Sequence, residues 1–141
     1  MTQDKFIEYG GVQLHVEWNP DNAFLVQDLP RCPGIYSEIY MPKRGVRIGE
    51  TGRSIRGKIQ HDIRWFRSMY DGSAPEAQLR RTLPIAEAAK KTGAEGFVFF
   101  VVSTDPRLFD KELRQACERH LFAWVGAHSS WIDWNRQRSW R

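Results

Sequence analysis

The sequence predicts an α/β domain of the α+β type, a small mixed or antiparallel sheet flanked by helices, and three observations predict it. The run Ile35-Tyr36-Ser37-Glu38-Ile39-Tyr40 is rich in β-branched and aromatic residues. A polar turn, Pro42-Lys43-Arg44-Gly45, separates it from a second strand-like run, Val46-Arg47-Ile48-Gly49. Next comes an amphipathic stretch in which Ile55, Ile59, Ile63 and Phe66 recur at helical spacing behind Ser54, a natural N-cap. Farther on, Phe97-Val98-Phe99-Phe100-Val101-Val102 is continuously apolar between Gly96 and Ser103. Such a run predicts a strand buried on both faces, at the centre of the sheet.

Taken in order, the chain opens with an added hairpin. Lys5 to Tyr9 and Val12 to Trp18 flank Gly10-Gly11, a pair suited to a tight turn with positive φ. Val12, Leu14, Val16 and Trp18 alternate with polar residues, which places His15 on the solvated face. Asn19-Pro20-Asp21-Asn22 is a turn, and Ala23 to Leu29 connects it to the strands described above. After the first helix, Asp71 to Pro75 is a loop. Glu76 to Lys91 then reads as a helix interrupted near Pro84 and ended by Gly93. Asp105-Pro106 predicts the start of a last helix with a stripe of Phe109, Leu113, Ala116, Cys117, Leu121 and Trp124, stopped by Gly126. The tail carries Trp131, Trp134 and Trp140 among Arg136, Arg138 and Arg141, with the tryptophans expected to dock on the core.

With 141 residues this is a single domain: hairpin and connector over 1–29, core over 30–125, tail over 126–141. The net charge of +4 suits a polyanionic partner without requiring one. Cys32 and Cys117 stand far apart and match no metal-ligand spacing, so both read as free thiols. Neither a membrane-spanning run nor a charged, apolar leader is present, which predicts a soluble cytoplasmic chain.

The segment 33–61 resembles the GIY-YIG nuclease domain. Gly34-Ile35-Tyr36 matches the first tripeptide of that family. Arg47-Ile48-Gly49 stands at the second, with arginine in place of tyrosine. Glu50-Thr51-Gly52-Arg53-Ser54 is similar to the Thr-Gly form of the loop leading into the family's helix. The resemblance implies hydrolysis of DNA phosphodiesters assisted by one divalent ion, Mg²⁺ or Mn²⁺, and a domain this small, with no second DNA-binding module, predicts low sequence specificity. The resemblance implies Tyr36 as the residue taking a proton from water, and Lys58 or Arg56 as the phosphate-stabilising cation. His61 corresponds to the helix histidine. Glu118, followed by Arg119-His120 and then Leu121-Phe122, corresponds to the metal-holding carboxylate, expected at the edge of its helix's apolar stripe. Asn135 is the candidate for the family's closing asparagine.

A phenol titrates near ~10, so Tyr36 needs neighbouring cations to act as a base, and Lys58, Arg47 and Arg56 are the candidates. Arg47, Arg53, Arg64 and Arg67 form the expected DNA-binding set. Lysine in place of arginine gives a point charge without the planar fork. Two other readings stay open. One is a nucleic-acid-binding module with the fold and basic face but weakened or absent catalysis. The other is a protein-interaction domain, separated from the first two by salt-dependent DNA binding.

Overall fold

The computed structural model describes residues 5–74, 83–128 and 130–134 of the chain. Strands β1 (Phe6–Tyr9) and β2 (Val12–His15) form the added hairpin, in which Gly10 and Gly11 take φ of 57° and 82°. The expected longer second strand ends at His15, but Val16 and Trp18 still follow Val12 and Leu14 into the interior. Strand β3 (Gly34–Tyr40) pairs antiparallel with β4 (Gly45–Thr51), joined by a 3-10 turn over Met41–Lys43 with Arg44 left-handed at φ 53°. Helix α1 spans Ile55–Tyr70, and the Ser54 hydroxyl caps it by accepting from Gly57 N.

Helix α2 covers Leu83–Thr92, with Pro84 in its first turn, where the missing N–H costs nothing. The expected stretch before Leu83 lies outside the described residues. Gly93 ends α2 at φ 62°. Strand β5 (Phe97–Ser103), helix α3 (Lys111–Ala127) and the two-residue β6 (Ile132–Asp133) complete the order.

The sheet runs β5-β3-β4-β6, antiparallel except for the parallel β4–β6 pair. The expectation that Phe97 to Val102 forms the centre is therefore corrected: among the described residues β5 lies beside β3 but ends the sheet, and β3 and β4 are central. Its apolar character arises because layers cover both of its faces. Phe97 and Phe99 point toward α1 and α2, while Phe100 and Val102 join Ile35, Ile39, Val46 and Ile48 against α3 and the added hairpin. Among the described residues, the outer edge of β5 is met locally, by Phe24 N donating to the Phe99 carbonyl at 2.8 Å.

The start of α3 also differs from expectation. Asp105 caps a 3-10 turn over Pro106–Phe109, and Asp110 caps the helix proper by accepting from Leu113 N. The extra turn buries Leu108 and leaves Phe109 70 % exposed, out of the predicted stripe. Gly126 does not stop the helix, which continues to Ala127. Trp131 and Trp134 dock as expected: Trp131 meets Trp18 edge-on and lies under Arg44, and Trp134 stacks on Tyr40. Trp140 and the tail arginines lie outside the described residues. Both cysteines are free thiols. No helix among the described residues is long and apolar enough to cross a membrane.

Candidate nucleic-acid interface

The hairpin and α1 meet at the end of β4, where Thr51, Arg53, Ser54, Gly57, Lys58 and His61 line an open pocket of about 320 Å³. Helical geometry accounts for the set. Gly57 and Lys58 each lie three or four residues from both Ser54 and His61, so the four share one face of the first turns. Arg53 reaches the same rim from the loop, with its amide donating to Thr51 Oγ1 at 3.2 Å. Arg64 continues this exposed face one turn beyond His61, and Arg67 is exposed on the following turn. Three residues expected at the site, Arg53, Lys58 and His61, are thus brought together.

Helix starts often bind anions through unpaired amides, but α1 has few to offer. Ile55 N donates to the Cys32 carbonyl at 3.1 Å and Arg56 N to the Pro30 carbonyl at 2.9 Å. Ser54 takes both following amides: its hydroxyl accepts from Gly57 N and its carbonyl from Lys58 N. An anion in this pocket would be held by side chains.

Arg56 does not join them. Its Nε donates to the Leu29 carbonyl at 2.9 Å and its Nη2 to the Gln27 carbonyl at 2.7 Å, tying the connector to α1. The expected role of Arg56 on phosphate is corrected accordingly.

Arg47 is corrected as well. Register pairs it with Glu38 across the hairpin, on the face covered by α1. Its Nη1 donates to Glu38 Oε1 at 2.7 Å and to Asp62 Oδ2 at 3.0 Å. The Arg47 side chain is only 16 % exposed, and both carboxylates are buried. This cation serves two internal carboxylates.

Tyr36 lies one strand position farther along the same face. Its ring covers Gly49, its cross-strand partner, and a Cβ there would overlap the ring. Gly34 has a comparable reason: a Cβ would run into the Ser103 carbonyl of β5, just where the β3–β5 register shifts at Ile35/Tyr36. The glycines of the two tripeptides are thus explained by close approach. Gly49→Ala is expected to destabilise the fold by about 1–3 kcal/mol through overpacking. Thermal unfolding checks this, and an unchanged Tm would show that the Tyr36 ring is free to leave.

The Tyr36 hydroxyl is buried without a hydrogen-bond partner. Burial, above all, raises its pKa well above that of an ordinary phenol, and the nearby Asp62 and Glu38 charges push the same way. Arg47 pulls it down but is outweighed, and Glu118 adds to the rise. The field expected from Arg47, Arg56 and Lys58 therefore does not prepare Tyr36 as a base at neutral pH.

Glu118 departs from its expected place at the stripe edge, being 2 % exposed on α3. Arg114, one turn earlier, pairs with Glu50 of β4. Among the described residues no group of three or more His, Cys, Asp or Glu converges. A lone carboxylate can hold Mg²⁺ only with several waters around the ion, and so enclosed a side chain does not fit that requirement. His120 is half-buried, with its ring 4.9 Å from that of Tyr9. Asn135 lies outside the described residues.

Sequence reasoning gave no role to Glu38 and Asp62 and did not foresee the pairing of Glu50 with Arg114. A signal existed for the first two: Glu38 interrupts an apolar strand, and Asp62 sits between Ile59 and Ile63 on the buried side of α1. Comparison with protein-family models, characterised proteins and solved structures finds no match to the chain.

Proposed function

We propose that the chain is a GIY-YIG-like module that binds the phosphate backbone of nucleic acid, DNA in the first instance, without the chemistry to cleave it. The observation that carries this reading is the open pocket where Arg53, Lys58 and His61 meet at the head of α1, with Arg64 extending the basic face. Side-chain cations on a rim suit sequence-independent contact with phosphates. Hairpin, helix and the two close-packed tripeptide glycines support the family likeness. The buried, unactivated phenol of Tyr36 and the enclosed Glu118 favour binding over hydrolysis.

Binding of a short DNA duplex should weaken steeply with salt, because each neutralised phosphate releases counterions. Arg53→Ala with Lys58→Ala is expected to lower the slope of log affinity against log salt by roughly one to two units. Arg56→Ala should leave that slope unchanged and lower thermal stability, since it loosens the connector at Gln27 and Leu29. Fluorescence anisotropy across a salt series measures both. A double variant with the parental slope removes the pocket from the interface.

Supercoiled plasmid incubated with Mg²⁺ or Mn²⁺ should stay intact. Metal-dependent nicking that Glu118→Gln abolishes would establish the hydrolase reading instead.

A further inference from the structure

The segment Glu50-Thr51-Gly52-Arg53 leaves the end of β4, where Glu50 and Thr51 still pair with Ile35 and Gly34, and its side-chain anchor comes from α3, on the other side of the sheet. Arg114 Nε donates to Glu50 Oε2 at 2.5 Å, and Nη1 donates to the Leu108 carbonyl at 3.0 Å. Gln115 Nε2 adds a longer contact to Glu50 Oε1 at 3.4 Å. The guanidinium also lies against Gly52: a Cβ there would stand 3.0 Å from Nη2 and 3.2 Å from both Cζ and Nη1. Near-equal distances to three atoms of one planar group mean that the plane faces the loop.

The Arg114 and Glu50 side chains are 8 % and 15 % exposed. A pair so enclosed loses much of its hydration, and apolar residues would serve packing as well, so its worth lies in geometry. The geometry it fixes belongs to Thr51 and Arg53, the pocket residues on either side of Gly52.

We infer that Arg114 is a positioning residue for the pocket: clamped on Glu50 and Gly52, it holds the loop so that Arg53 stands beside Lys58 and His61. This rests on the phosphate-binding reading for its purpose, though not for its geometry. Lysine cannot replace it, because a point charge cannot span Glu50 and the Leu108 carbonyl while lying flat on Gly52.

The test uses the full chain with Arg114→Lys and, separately, Glu50→Gln, which keeps shape and an acceptor. Amide hydrogen exchange without ligand should rise roughly tenfold or more at 51–53 in both variants, with β3 amides unchanged. Affinity for a short DNA duplex should fall roughly fivefold, as expected when a binding loop loses preorganisation. The salt slope should stay parental, because no phosphate contact is removed. A slope reduced by about one unit in Arg114→Lys would make Arg114 a direct phosphate ligand and overturn the inference. Unchanged exchange at 51–53 overturns it too, as does faster exchange throughout the sheet in both variants. If the parent binds no DNA while exchange rises only at the loop, the positioning role holds and the phosphate-binding reading falls.

Discussion

Arg47→Met is expected to lose on the order of 3–5 kcal/mol of folding free energy, because it leaves buried carboxylates without their counter-charge. Glu38 and Asp62 both accept from one nitrogen of Arg47, in the layer between the sheet and α1. Methionine fills a similar volume, so the loss is electrostatic more than steric. A loss of this size is a large part of a small domain's stability. The cause can be isolated by combining Arg47→Met with Glu38→Leu and Asp62→Leu. That all-apolar cluster should return to within about 1 kcal/mol of the parent or exceed it, since replaced ion pairs often cost nothing. Urea unfolding of the two variants gives the comparison. If Arg47→Met alone costs under about 1 kcal/mol, the carboxylates are reached by water and the cluster is not the sealed unit described.

The second large effect is on pH. Burial, first, and then the neighbouring Asp62 charge raise the pKa of Glu38 well above its ordinary value, against the downward pull of Arg47. In the unfolded chain Glu38 titrates near ~4.3. Between that pH and its folded pKa the native state holds more protons than the unfolded state. Stability contributed by Glu38 is therefore full below the unfolded pKa and is lost as pH rises through the folded one. The slope is about 1.4 kcal/mol per pH unit within the window and levels off above it. Asp105 works in the opposite sense at lower pH. Hydrogen bonds from Arg107 hold its pKa down at about 2, so its contribution is lost as pH falls from the ordinary aspartate range toward that value. Glu38→Gln should flatten the fall above pH ~4.5 and leave the acid limb in place. Denaturation curves collected from acid to mildly alkaline pH decide it. A parent whose stability holds steady or rises across that window would refute the raised Glu38 pKa.

Local signals carried much of this structure. The Gly10-Gly11 turn, the hairpin around Met41–Lys43 and the Ser54 cap follow from residues close in sequence, and the docking of Trp131 and Trp134 was expected from their apolar bulk. The basic pocket was legible because Lys58 and His61 share one helix face. What failed was the inference from type to exposure. Arg47 and Arg56 look like surface cations, and only register and connector packing show that each has an internal partner. Glu118 was read from the edge of an apolar stripe, but the Glu50–Arg114 pair is set by contact across some sixty residues. Two aspartates at 105 and 110 each satisfy the rules for an N-cap, so the helix start depends on burial of Leu108, a tertiary fact. An apolar β5 signals coverage of both faces, which an end strand between two layers satisfies as well as a central one.

The central place of β3 bears on how the chain reaches this state. Its two neighbours differ greatly in sequence distance: β4 follows after a few residues, whereas Tyr40 must find Phe97. The β3–β4 hairpin and α1 form one contiguous stretch and can assemble with little loss of loop entropy, while docking β5 closes a far longer loop. The late step therefore falls on the β3 edge. Until β5 arrives, that edge displays a row of unpaired amides and carbonyls beside Ile35, Tyr36 and Ile39, a template for pairing with another chain. Aggregation during refolding should accordingly be worst in variants that delay β5, and mildest where the helices that follow the hairpin fold fastest.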